Sequence, residues 1–347
     1  MRLFIFNSEN DDVFWKRTVV AVAVFMAVIL VIWEIFWRSM GFVVSHHDSN
    51  AFWSTKRDLA SEVGSKGIII TGSSRVFYGL DANLIEKRTG RPVVQLAVNG
   101  GATLPLLEDL AQDESITGTI ICGIVPLYFF DLRKHYKEAQ ARIRYYRQRS
   151  PSEKAGQWIA FQLEKLFVYP EKDELFYQIF INSAALIKGI RFDPGISKQL
   201  VFIDGERRTF MPPLILSSSE VREALARKLR TGLNSPELPD EKDLEDIIGR
   251  TAKAVSKLKS RNASIVFVRM PSSGKYLEAE KKFWPREKFW DRLVQRSGAP
   301  AVYYEDHSGL DRFMCPDDSH LSKEDASLFT ERFLEILAKD GFLKVND

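Results

Sequence analysis

One segment constrains this chain more than any other: Thr18–Trp37, TVVAVAVFMAVILVIWEIFW. It is apolar on every face and about the 20 residues long that a helix needs to cross a hydrocarbon core. Its one charge, Glu34, lies near the end, within reach of headgroups, and Trp33 and Trp37 suit an interfacial aromatic belt. Lys16 and Arg17 precede the segment and favour leaving the N-terminal tail in the cytoplasm, against Asp11, Asp12 and the trailing Arg38. No small-residue cleavage pattern follows, so the segment reads as an anchor rather than a removed signal peptide. A buried core helix is the alternative. The expected organisation is a cytoplasmic tail over 1–17, a transmembrane helix over 18–38, a polar neck over 39–66 and an extracytoplasmic domain over 67–347, periplasmic if the envelope is Gram-negative.

The chain as a whole has the composition of a globular domain, with 45% hydrophobic and 27% charged residues among 347. That balance excludes a many-helix transporter and a disordered chain. A net charge of +3, from 49 basic and 46 acidic residues, gives no reason to expect a nucleic-acid partner. Cys122 and Cys315 are too few for a zinc site or a disulfide framework. They are read as two buried thiols, with a single bridge as the alternative.

Short apolar runs alternate with helical patterns. Gly67–Thr71 (GIIIT), Pro92–Val98 and Thr119–Val125 read as strands buried on both faces, with helices over Leu80–Arg88 and Leu104–Ala111 between them. This βαβαβ order predicts a parallel sheet with right-handed crossovers. A block over about 131–239 interrupts it as a helical insertion, with a hairpin turning at Asp204-Gly205. Its basic run, Arg133–Arg149, is either a solvated helix face or a surface for anionic glycan or phospholipid headgroups. The alternation resumes with a helix over Asp240–Lys259, a strand at Ser264–Val268, a helix over Pro285–Arg296, a strand near Ala301–Tyr304 and a last helix from Ser322. The fold class is α/β, a three-layer α/β/α sandwich with a mostly parallel sheet.

Two distant sites carry chemistry-bearing residues. Gly72-Ser73-Ser74-Arg75 follows the first strand directly, where open α/β sheets bind ligands. A serine there can present its hydroxyl while its own N–H faces an oxyanion. The second site, Asp317-Asp318-Ser319-His320, has the D-x-x-H spacing that lets a carboxylate orient an imidazole able to deprotonate a serine. Each alone is commonly an ordinary loop or a capping turn. His46-His47-Asp48 has metal-ligand residue types but reads as a solvated linker. No dinucleotide, P-loop or zinc-protease motif is present, so no cofactor and no metal are expected.

Together the two sites resemble the SGNH/GDSL hydrolases, whose fold is flavodoxin-like, and more closely their membrane-anchored relatives that act with exopolysaccharide O-acetylation systems. The matching pieces are ITGSSRV, QLAVNGG and PDDSHLS, in order over about Gly67–Lys339 apart from the insertion. The resemblance implies Ser74, not Ser73, as nucleophile, His320 as base and Asp317 as its orienting acid. It also implies oxyanion donors at the N–H groups of Ser74 and Gly100, with Gly101 the near alternative. The family's third block carries glycine, any residue, then asparagine. Here it is Gly123-Ile124-Val125, and valine cannot donate. Membrane-anchored relatives, D-alanyl-transfer proteins among them, often lack this asparagine too. Arg75 and Asn99 are candidates to replace the donor or contact substrate, with a salt bridge capping the sheet as the alternative for Arg75, and Arg269, at the end of the fourth strand, is a third substrate-contact candidate. The implied activity is ester hydrolysis or O-acyl transfer on cell-envelope or exported polysaccharide. The implied partners are the membrane, a polysaccharide or lipid-linked glycan, and a multi-pass membrane-bound O-acyltransferase. The rival reading is a non-catalytic glycan-binding or partner subunit on the same scaffold, with Val125 as its support.

Overall fold

Residues 8–130, 136–168, 202–234 and 236–346 are described in a computed structural model of the chain. The first three residues of the basic run, the opening residues of the expected hairpin strand and the middle of the insertion, 169–201, lie outside them. Helix α1 (Ser8–Ser39) contains the expected anchor: Val13–Ser39 is long and apolar enough to span a membrane, and none of its most apolar stretch is covered by protein.

Five strands form one sheet: β1 (Ile68–Thr71), β2 (Val93–Gln95), β3 (Thr119–Gly123), β4 (Ser264–Arg269) and β5 (Ala301–Tyr303). Their order is β2-β1-β3-β4-β5 and every pairing is parallel, with Ile69 opposite Val94 on one side and Ile120 on the other. All residues of β1, β2 and β3 are buried. That is why these runs are continuously apolar instead of alternating. After β1 come α3 (Ser74–Gly79) and α4 (Ala82–Thr89), and the terminal α14 (Lys323–Lys339) packs on both. Helix α5 (Thr103–Gln112) packs on α11 (Glu241–Lys259), which packs on α13 (Arg292–Ser297). The sheet therefore lies between two helical layers. The chain steps one way from β1 to β2 and the other way from β2 through β5, so the switch point lies at the carboxyl ends of β1 and β3.

Two expectations change in the neck. The neck is not a separate polar linker. Its helix α2 (Asn50–Glu62) places Phe52, Trp53 and Ala60 in the same hydrophobic cluster as the sheet, and Trp53 Nε1 donates to the Leu96 carbonyl at 2.9 Å. His46 is buried too: its ring stacks on Phe161 and its Nδ1 lies 2.8 Å from Glu164, so it is no solvated linker residue. No metal-ligating cluster occurs among the described residues.

The described part of the insertion comprises α6 (Pro126–Phe130), α7 (Tyr136–Gln148), α8 (Pro151–Glu164), α9 (Pro213–Ser217) and α10 (Ser219–Thr231). Helix α7 packs on α2 and α5. Its basic run is not a free cationic face, because Arg142, Arg147 and Arg149 bind Asp48, Asp109 and Asp58 of the domain itself.

The turn at Asp204-Gly205 forms with a single antiparallel bridge, Ile203 to Thr209. The left-handed residue is Arg207 (φ 61°), not Gly205, because the Asp204 carboxylate accepts the N–H groups of Glu206 and Arg208 and folds the turn locally. Arg207 is fully buried, donates twice to Asp48 and once to the Gln95 carbonyl, and lies 4.7 Å over the Phe77 ring. Hairpin, neck and α3 are thus joined through one guanidinium.

Burial raises the Asp48 carboxyl, and Arg207 and Arg142 together hold it below its ordinary value. A depressed folded value means that this stabilisation is complete above the unfolded carboxylate range and is lost as pH falls through the folded value. Asp48→Ala strands two buried guanidiniums and is expected to cost about 3–5 kcal/mol at pH 7. Urea unfolding at pH 7 and pH 3 checks this: the gap between wild type and variant narrows in acid.

Candidate active site

Ser74 begins α3 at the carboxyl end of β1, beside the switch point. Two glycines make that position possible. Gly72 has φ 146°, and a Cβ on it would come within 2.6 Å of Val76 and 3.0 Å of the Gly123 carbonyl. A Cβ on Gly123 would come within 2.3 Å of Val76. Helix α3 therefore sits directly on the ends of β1 and β3, and Ser74 projects over the sheet edge at 4% exposure. The N–H of Ser74, at the first helical position, has no acceptor within its own helix.

Ser74 meets the loop before α14. His320 Nε2 lies 2.9 Å from Ser74 Oγ, and His320 Nδ1 lies 2.7 Å from Asp317 Oδ2. Asp317 is fully buried, and its other oxygen accepts the N–H groups of Ser319 (3.0 Å) and His320 (2.7 Å). Burial raises its carboxyl, but the electrostatic attraction of the adjoining His320 ring and these hydrogen bonds outweigh burial and hold it below the usual carboxylate value. Asp317 is thus an ionised acceptor, which favours the proton on Nδ1 and leaves Nε2 free to accept from Ser74. Tyr78 flanks the imidazole edge-on at 5.2 Å. The neighbouring Ser73 hydroxyl is buried and bonds to no protein group, so the geometry separates the two serines.

The second sequence block adjoins the first. Val98 donates to the Gly72 carbonyl at 2.9 Å, which carries the exposed Asn99 and the half-buried Gly100 just past the end of β1. Gly100 has φ 67°, and a Cβ there would meet nothing within 4 Å. Gly101 is tied into its own turn by donating to the Val98 carbonyl. In the third block Val125 is buried, and its carbonyl accepts the N–H groups of Tyr128 and Phe129 at the start of α6. No side-chain donor stands at that position.

Arg75 takes the second of its two expected roles, a buried salt bridge, and Arg269 shares the same carboxylate. Both are buried, and both bind Glu280 of α12 (Gly274–Phe283). Arg75 Nε also donates to Ser319 Oγ at 3.2 Å, and Ser272 Oγ donates to Glu280 at 2.6 Å. Burial raises the Glu280 carboxyl, but Arg269 and Arg75 pull it below its ordinary value. Arg269 also borders a cleft of about 310 Å³ walled by Trp284 and Trp290. A second cleft, of about 190 Å³, lies beside Tyr78 and is walled by Phe202, Phe210 and Lys323. Sequence reading missed Glu280, Ser319 and Tyr78. Glu280 stands in a Lys- and Glu-rich helix with no periodic or motif signal to separate it from a solvated charge. Cys122 and Cys315 are free buried thiols, the latter pushed up to about 12 by burial.

No protein-family model matches the sequence, and no curated protein matches it either. Among solved structures, a Bacteroides fragilis protein provisionally described as an acylhydrolase aligns with 9% identity and a TM-score of 0.37, over 83% of this chain and 98% of its own. A likeness at that level carries no argument about activity.

Glu280→Gln replaces the charge between two buried guanidiniums. It is expected to destabilise the protein by about 3–5 kcal/mol, read as a lower urea midpoint with an unchanged slope.

Proposed function

We propose that the protein is a membrane-anchored, serine-dependent ester enzyme of the SGNH type, an O-acyltransferase or esterase working through an acyl-serine. The observation that carries this reading is the relay from Ser74 Oγ through His320 (2.9 Å) to the buried Asp317 (2.7 Å). Three nearby groups oriented in this sequence have the reach and polarity for nucleophilic acyl transfer. The flavodoxin-like strand order and the position of Ser74 at the switch point support the family assignment.

Ser74 Oγ attacks the ester carbonyl while His320 Nε2 takes its proton. Asp317 stabilises the resulting imidazolium and does not itself become protonated. The N–H groups of Ser74 and Gly100 receive the oxyanion. Collapse of the tetrahedral adduct breaks the ester C–O bond, and His320 returns the proton to the departing alcohol. In the second half, His320 deprotonates water or a sugar hydroxyl, that oxygen attacks the acyl carbon, and the acyl–Ser74 bond breaks as His320 returns the proton to Ser74 Oγ. The substrate we propose is envelope or exported polysaccharide, or a lipid-linked glycan, with a multi-pass membrane-bound O-acyltransferase as partner. In this reading the N-terminus is cytoplasmic and the domain lies outside, where such a substrate would be met; the basic Lys16 and Arg17 before the span support that orientation. The Tyr78 cleft, with its aromatic walls and its polar Asp81, Asp204, Arg208 and Lys323, suits a sugar ring.

A non-catalytic binding role is the second reading, favoured by the buried apolar Val125 where a donor is expected. Labelling with a serine-reactive fluorophosphonate separates the two. Wild type is expected to label and Ser74→Ala not to label, and equal labelling of both would remove Ser74 as nucleophile. Asp317→Asn is expected to slow labelling by about 10³–10⁴, since the wrong tautomer is then favoured. In cells, undiminished polysaccharide acetylation with His320→Ala would favour the binding role.

A further inference from the structure

Helix α8 has two faces of opposite use. With about 3.6 residues per turn, Phe161 and Glu164 fall on one side, where they meet Phe52 and His46 and dock the helix on the domain. Ile159 and Leu163 fall on the other, Trp158 on the flank between the two, and Leu166 follows just past the helix end; they are 54%, 43%, 66% and 64% exposed. Four large apolar side chains on one short stretch are more than the scattered exposed residue that needs no explanation.

The position of this face says what covers it. The chain just after α8 is bonded to the last turns of α1: Trp33 Nε1 donates to the Val168 carbonyl at 3.0 Å, the Val168 N–H donates to Glu34 at 2.6 Å, and Arg38 donates to the Leu166 carbonyl. Trp37, Phe42 and Val168 form a small buried cluster at the same junction. The exposed apolar residues of α8 therefore lead directly into a segment fixed at the aromatic end of α1's bare apolar wall. We infer that α8 is an interfacial helix, lying in the headgroup layer at the C-terminal end of α1 with Trp158, Ile159, Leu163 and Leu166 in lipid. Such helices sink about 5–10 Å into the headgroup–acyl boundary. Exposed Lys154 and Lys165, at either end, can reach lipid phosphates. The inference rests on reading α1 as a membrane span.

Nitroxide labels at Val24→Cys, Ile159→Cys and Lys339→Cys in the full-length protein, reconstituted in nanodiscs of phosphatidylcholine and phosphatidylglycerol, test it. The two native cysteines are buried. At position 159 collisions with oxygen are expected to exceed those with a water-soluble nickel chelate, as at 24, while 339 shows the reverse. A label at 159 that behaves like 339, with 24 in lipid, overturns the inference and leaves the anchor standing. Water exposure at 24 removes the anchor reading and the inference with it. A label at 159 shielded from both reagents means that protein covers this face, which also overturns the assignment to lipid. Leu166→Cys is expected to repeat the result at 159.

Discussion

Ser74 and His320 stand 246 positions apart and on different loops, so their 2.9 Å contact exists only if both loops are fixed to one frame. Glu280 provides that frame. It binds Arg75, the residue after Ser74, and Arg75 in turn binds Ser319, the residue before His320. Arg269, at the end of β4, and Ser272 hold the carboxylate from the other side. Burying one carboxylate and two guanidiniums costs several kcal/mol per ion and is recovered only with good geometry. A well-packed apolar trio could be as stable. It could not set the azimuth of the two loops, because apolar contacts carry no direction. The network therefore contributes position more than stability.

The same edge is shaped by contacts too close for any side chain. Gly72 and Gly123 let Val76 press onto the ends of β1 and β3, and the bond from Val98 to Gly72 brings the second loop alongside. Three loops that are distant in sequence converge because a parallel sheet with a direction reversal opens a crevice at one point only. The insertion closes back onto this arrangement through Arg207, which lies over Phe77 one turn beyond Ser74 and on the last residue of β2. A segment that reads as an appendage is thereby coupled to the helix that carries the serine.

Much of this was legible in the sequence, for identifiable reasons. The strands were visible because burial on both faces makes Ile68–Ile70 and Ile120–Cys122 uniformly apolar. The pair Ser74 and His320 was visible through short motifs whose spacing has a mechanical meaning. What was not legible depends on partners far along the chain. Helix α3 is too short to show a period. Helix α12 has the composition of a solvated helix although Glu280 is buried within it. The neck was read as polar because Lys56, Arg57 and Asp58 dominate its composition, but Arg57 is buried against Asp109 and Asp113 and its neighbour Trp53 is in the core. A charge looks the same in sequence whether it meets water or a counter-charge.

Under the proposed chemistry, the missing third-block donor bears on which half-reaction the site can sustain. Losing one oxyanion donor costs about 10²–10³ in rate, or about 2.7–4 kcal/mol. Two backbone N–H groups, those of Ser74 and Gly100, are then left to hold the developing charge. Water, although abundant, is poorly oriented and cannot make up that loss. An acceptor held in place can, since correct placement of two reactants is equivalent to an effective concentration of about 10⁵–10⁸ M. A deficient hole is therefore tolerable for transfer to a bound sugar hydroxyl and damaging for hydrolysis. It would also protect the acyl-serine from water while the acceptor arrives. The valine that counts against a simple esterase is thus compatible with an acyl carrier whose second substrate is delivered to it, beside a membrane that restricts where that substrate can be.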